Sequence, residues 1–132
     1  MLYLDTSAFL KLVVKETHSD VLRLDLVGKR AWSSSLLGVE AHRAAQRLGV
    51  PSPVVDEFLA AVTLISLSES TMLTARTIGT QDLRTLDAIH LASALELGSD
   101  LDAMCTYDAR LARASRSVGI SVQSPGLPAD WF

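Results

Sequence analysis

The stretch Met1-Leu2-Tyr3-Leu4-Asp5-Thr6-Ser7-Ala8 carries the decision about the fold. Its apolar run is short, continuous and closed by a carboxylate. Such a run reads as a central strand of a parallel sheet, buried on both faces. Ligands of open α/β sheets bind beyond the C-terminal ends of the strands. Asp5 therefore stands where chemistry is expected. Thr6 or Ser7 is placed to cap the next helix, whose apolar residues include Phe9, Leu10, Val13 and Val14.

Outward from this stretch, strand and helix signals alternate. A second helix over about His18 to Val27 stops at Gly28, and Arg30 to Ser34 is a short strand. Ser34 or Ser35 caps a third helix that runs to the Gly49-Val50-Pro51 break. Pro53 opens a helix through Ala61, Leu64 to Leu67 is a strand, and Ser68 caps a helix over Glu69 to Ile78 that Gly79 ends. The strongest helical pattern, about Leu83 to Leu97, is closed by Gly98. Ala103 to Tyr107 is a strand, Ala109 to Val118 a helix, Ile120 to Val122 a last strand, and 124–132 a loop-like tail. This order implies βαβ units and a mostly parallel central sheet in an α/β fold. The 132 residues are expected to form a single domain, 1–132.

Composition narrows the class without choosing a substrate. A hydrophobic fraction of 48% fits a packed globular chain rather than a disordered one. No apolar run approaches the roughly 18 residues of a membrane span. Strand-like sequence begins at Met1 with no basic segment before it, so no secretory signal is expected and the cytoplasm is the expected compartment. The one cysteine, Cys105, excludes an internal disulfide and reads as a small buried strand residue. The net charge of −3 lacks the basic excess of most nucleic-acid binders. Yet with four of the 15 acids set against bound cations, fewer acids than the 12 bases remain. An RNA or DNA substrate is neither supported nor excluded.

Four acids hold the chemical interest: Asp5, Glu40, Asp87 and Asp108. Each has an ordinary explanation. Asp5 and Asp108 follow strands and suit helix caps. Glu40, at the edge of the stripe Leu37, Ala41, Ala44 and Leu48, can pair with Arg43. Asp87 can complement a helix dipole. However, Asp87 lies about 40° around its helix from Leu91, beside the stripe Ala88, Leu91, Ala92 and Leu95. A carboxylate pressed against apolar residues needs compensation. His90 reads as a polar boundary residue rather than a ligand. Two strand-terminal aspartates on one sheet edge, with two helix acids at core boundaries, would repel strongly without a cation. Oxygen ligands with no accompanying Cys or paired His favour Mg²⁺ or Mn²⁺ over Zn²⁺. The chemistry that follows is phosphodiester hydrolysis by metal-activated water.

The segments Tyr3-Leu4-Asp5-Thr6-Ser7-Ala8, Val39-Glu40-Ala41-His42-Arg43, Leu86-Asp87-Ala88-Ile89-His90-Leu91-Ala92 and Thr106-Tyr107-Asp108-Ala109-Arg110-Leu111 together resemble PIN-domain ribonucleases. Among these the chain is most similar to VapC toxins of bacterial toxin–antitoxin pairs. The resemblance runs from Leu2 to about Val122. It implies a three-layer α/β/α sandwich and an Mg²⁺-dependent endoribonuclease, with Mn²⁺ as a substitute. It implies that Asp5, Glu40, Asp87 and Asp108 are the catalytic, metal-binding acids, with Thr6 or Ser7 in support. It also implies a homodimer within a larger complex with a cognate antitoxin. The antitoxin is expected in a groove between the first helices and the Leu83–Leu97 helix, where Val21, Leu22, Leu24 and Leu26 offer more apolar surface than one stripe needs.

Rival readings fare less well. A phosphoacceptor domain would want an acidic neighbour to Asp5 and a late lysine, but no lysine follows Lys29. A haloacid-dehalogenase-like phosphatase would want an acid where Ser7 stands, and no Gly-x-Ser-x-Gly elbow supports a serine hydrolase. A non-catalytic PIN-like scaffold is the alternative of another class, and the presence of all four acids argues against it. Arg43, Arg47 and Arg84, with Lys11, are the candidate RNA contacts, since phosphates need Lys or Arg near the acids. Lys15 and Arg110 are better read as solvated helix faces.

Overall fold

A computed structural model describes all 132 residues. Strand β1 (Leu2–Leu4) is indeed central: it pairs in parallel with β2 (Ala31–Ser34) on one side and β4 (Ala103–Cys105) on the other. β2 carries β3 (Val62–Ile65) and β4 carries β5 (Val122–Gln123), giving the all-parallel order β3-β2-β1-β4-β5. Side chains alternate across the pleat. Leu4 and Cys105 enter one core cluster, whereas Tyr3 and Met104 enter another.

Helices cover both faces. α1 (Thr6–Val13), α2 (Ser19–Asp25), α3 (Leu36–Arg47) and α4 (Ser52–Leu59) contribute Ala8, Phe9, Leu22, Leu37, Ala41 and Val55 to the Leu4 side. α6 (Thr85–Leu95) and α7 (Ala109–Ser117) contribute Leu91, Ala94, Leu111 and Ala114 to the Tyr3 side, and α5 (Glu69–Ala75) packs against α6. This is the expected three-layer α/β/α sandwich. The helix after β1 goes to one face and the helix after β4 to the other. Their strands are neighbours, so a crevice opens between them at the C-terminal edge, the topological switch point of the sheet.

Several boundaries differ from expectation, each for a physical reason. β3 spans Val62–Ile65 rather than Leu64–Leu67, because its register against Ala31–Ser34 ends where β2 ends. β5 is Val122–Gln123, since Ile120 is drawn into the core instead of the ladder. α5 stops at Ala75, short of Ile78, and α6 starts at Thr85 rather than Leu83. Between them, Gly79 takes φ 79°, and a Cβ there would lie 2.9 Å from Leu83 Cδ2. Neither Leu48 nor Leu95 completes its apolar stripe; both are exposed near their helix ends. Asp5, not Thr6 or Ser7, caps α1.

Candidate active site

Asp5 leaves β1 directly into α1. Its Oδ1 accepts the Ala8 N–H at 2.9 Å and the Ser7 hydroxyl at 2.7 Å. Its Oδ2 accepts the Thr106 hydroxyl at 2.6 Å. The residue is 2% exposed, and burial pushes its carboxyl above the ordinary range against the pull of Thr106, Ala8 and Ser7. Being a cap and being a site residue are compatible here: the bonds that end the helix also hold the carboxylate still.

Asp108 caps α7 in the same manner from β4, with Oδ1 taking the Arg110 and Leu111 N–H groups at 2.9 and 3.0 Å. Its own N–H reaches the Thr106 hydroxyl at 3.0 Å. Thr106 thus joins the two strand-terminal acids.

Glu40 does not pair with Arg43. Its Oε1 instead accepts the Thr6 hydroxyl at 2.8 Å and lies 2.6 Å from His90 Nε2. Partial burial works to raise its carboxyl, but the His90 hydrogen bond and charge, with Thr6, outweigh burial and hold it below the usual range. His90 itself is fully buried, not a boundary residue.

Asp87 sits in the first turn of α6, and its carboxylate receives no hydrogen bond from the protein. Burial first, then the negative charges of Asp108, Asp5 and Glu40, raise its carboxyl from 3.8 to about 6. The charges of the other three acids thus all reach Asp87.

The donor set suits a hard divalent cation. The second oxygens of Glu40 and Asp108 and both oxygens of Asp87 have no protein partner, and every available ligand atom is oxygen. No three His, Cys, Asp or Glu side chains close into a ready cage. Mg²⁺ demands none, because it keeps several waters and binds through one or two carboxylates.

The expected RNA contacts divide. Arg43 and Arg47 are exposed, have no acidic partner, and line with Thr6, Leu10, Glu40 and Leu86 a cleft of about 290 Å³. Arg84 is exposed three residues before Asp87. Lys11 is occupied elsewhere, by Glu16 at 3.2 Å, the Thr17 carbonyl and the Tyr107 ring. Lys15 stands 3.7 Å from Asp20.

Thr106, Tyr3 and His90 escaped the sequence reading as site residues. A hydroxyl two residues before a strand-end acid, and a histidine inside the buried run Ala88–Leu91, were the available signals. A polar group in such a run must have partners.

Comparison with known proteins gives the family. The PIN domain family model matches residues 2–117. Ribonuclease VapC47 of Mycobacterium tuberculosis (strain CDC 1551 / Oshkosh) is 39% identical over 133 residues, covering 96% of this chain and 98% of its own. Ribonuclease VapC46 of M. tuberculosis (strain ATCC 25618 / H37Rv) is 39% identical, covering 94% and 97%. Among solved structures, M. tuberculosis VapC20, a sarcin-ricin loop cleaving toxin, superposes with a TM-score of 0.74 over 95% of this chain and 100% of its own, at 13% identity. A toxin–antitoxin complex from Klebsiella pneumoniae does so with a TM-score of 0.67 at 15% identity, over 95% and 98%. These two structural likenesses bear on the fold.

Proposed function

From the premise that the chain belongs to the PIN-domain family, we propose that it is the toxin of a toxin–antitoxin pair, an endoribonuclease that hydrolyses RNA phosphodiester bonds with a divalent metal. The observation that carries the site assignment is that Asp5 and Asp108 close the neighbouring strands β1 and β4, with Asp87 near enough to feel the charges of both and of Glu40. These four acids are assigned as metal ligands, and Mg²⁺ as the ion, replaceable by Mn²⁺.

When bound, the cation supplies an activated water and offsets charge on the leaving oxygen. The chain's part is positioning. Asp5 is immobilised by three donors and Asp108 by two, so neither reorganises when RNA arrives. Ser7 supports Asp5 while accepting the Tyr107 N–H at 2.9 Å, and Thr6 supports Glu40. Arg43, Arg47 and Arg84 are assigned to phosphates flanking the scissile bond.

The partner is a cognate antitoxin. Val21, Leu24 and Val27 of α2 and its end are 48%, 75% and 76% exposed, an apolar face that supports this reading. A homodimer within the complex and action in the cytoplasm belong to the same proposal; no helix is long and apolar enough to cross a membrane.

The test is cleavage of end-labelled RNA by purified protein, with and without EDTA, and with and without the product of the adjacent gene. Metal-dependent cleavage that the adjacent product suppresses is expected. Cleavage persisting in excess EDTA would defeat the metal assignment, and full activity beside the neighbour would defeat the toxin–antitoxin assignment alone.

A further inference from the structure

We propose that His90 is a positioning residue for Glu40, and that Tyr3 positions His90 in turn. The inference rests on the metal-site reading above and extends it to the buried layer beneath the acids. Both rings are wholly buried, with centroids 5.8 Å apart in an edge-to-face arrangement of 77°. Tyr3 Oη lies 2.8 Å from His90 Nδ1, and His90 Nε2 lies 2.6 Å from Glu40 Oε1. The chain of bonds thus runs from the central strand, through α6, to α3.

Proton accounting gives the chain a direction. A carboxylate only accepts, so the hydrogen between His90 and Glu40 belongs to Nε2. In the neutral ring Nδ1 is then an acceptor, which the Tyr3 O–H satisfies. Adding a proton at Nδ1 reverses the Tyr3 bond but leaves Nε2–H on Glu40. Either way Oε1 receives two hydrogens, one from His90 and one from Thr6 at 2.8 Å.

Two donors on one oxygen stop the glutamate from rotating and leave Oε2 as its free ligand atom. Glu is a long side chain whose ordering costs rotamer entropy. Here that ordering is complete before any ion arrives. The arrangement matches the general logic by which groups behind a ligand set its orientation and shift metal affinity. It also accounts for a histidine amid Ala88, Ile89 and Leu91, where an unbonded imidazole would be costly.

The test uses the wild-type protein and five variants: His90→Leu, His90→Gln, Tyr3→Phe, Glu40→Ala and the double variant of Glu40→Ala with His90→Leu. Two measurements are made, the first on the proteins that keep the His90 ring and the second on all. The first needs no metal: ¹⁵N-edited spectra of the His90 ring should show hydrogen on Nε2, and Glu40→Ala should change that signature. The second is Mn²⁺ affinity, from the free-ion signal in electron paramagnetic resonance. His90→Leu should weaken binding ~10–100-fold. His90→Gln, which retains a donor, should recover much of the loss. In the Glu40→Ala background His90→Leu should add nothing.

A folded His90→Leu protein with wild-type Mn²⁺ affinity would overturn the proposal. So would an equal loss with and without Glu40. Should His90→Leu fail to fold, Tyr3→Phe takes its place: a ring signature and Mn²⁺ affinity unchanged in that variant would overturn the proposal. If the wild-type protein binds no Mn²⁺, the metal reading fails by itself. The ring spectra then decide: a ring that responds to Glu40→Ala upholds the placement, and an indifferent ring overturns it.

Discussion

The Thr106 hydroxyl lies 2.6 Å from Asp5 Oδ2 while accepting the Asp108 N–H at 3.0 Å. A single buried side chain therefore couples the acid after β1 to the acid after β4. Thr106→Val keeps the shape and removes the hydroxyl. It should cost about 1–3 kcal/mol, since a buried carboxylate loses a donor, and should lower RNA cleavage. Thr106→Ser should retain most of both. Denaturant melts and single-turnover cleavage on the two variants check this, and a Val variant as stable and active as wild type would refute it.

Asp5→Asn and Asp87→Asn should each abolish cleavage yet leave a folded protein, because an amide is nearly isosteric with a carboxylate but ligates a hard cation poorly. Full activity in either variant would sink the metal assignment.

Asp87 makes a further, pH-dependent statement. Its folded value of about 6 lies above its ordinary 3.8. The folded state holds the proton more tightly, so this residue's contribution to stability is fully present below about pH 4 and is lost as pH rises through 6. The side chain is half-exposed, so solvent reduces the size of the effect. Without metal, Asp87→Asn should melt higher than wild type at pH 7.5 and with little difference at pH 4. A calorimetric series across that range gives the answer; an unchanging gap would contradict the raised Asp87 carboxyl.

Asp108 separates architecture from chemistry. Asp108→Ala removes the cap of α7 and should cost about 1 kcal/mol, whereas Asn caps as well as Asp. Both variants should lose activity, but only Ala should lose melting temperature. Equal melting temperatures would show the cap to be unimportant.

Millimolar Mg²⁺ or Mn²⁺ should support turnover, and Ca²⁺ should bind without supporting it, because its longer and looser shell misaligns water and phosphate. Turnover in Ca²⁺ at the Mg²⁺ rate would contradict this. Arg43→Ala and Arg47→Ala, made in the Asp87→Asn protein, should each reduce the salt slope of binding to a labelled mixed-sequence RNA by about 1. An unaltered slope would free that arginine from the phosphate path.

The sheet edge was legible because its signals are local. Leu2–Leu4 ends on Asp5, Ala103–Cys105 leads to Asp108, and each acid doubles as a helix cap. Asp87 was legible from helical spacing beside Leu91. Glu40 came from the family pattern; its spacing alone pointed to Arg43. What spacing cannot carry is pairing across the fold: Glu40 meets His90 50 residues away, and Tyr3 meets it across 87. The misplaced β3 has a similar cause. Leu64–Leu67 is as apolar as Val62–Ile65, but β2 sets where its neighbour pairs, so the ladder takes Val62–Ile65 and stops short of Leu67.

The bond from Thr106 to Asp5 spans 101 residues. A chain emerging from the ribosome carries Asp5, Glu40 and Asp87 well before it carries β4, and until β4 docks, β1 is a bare edge with no Thr106 to hold its carboxylate. Chains stopped ahead of Ala103 should be harmless when expressed, which growth curves read directly. The winding order of the sheet thus acts as a timer: until β4 docks beside β1, the emerging chain holds no finished nuclease.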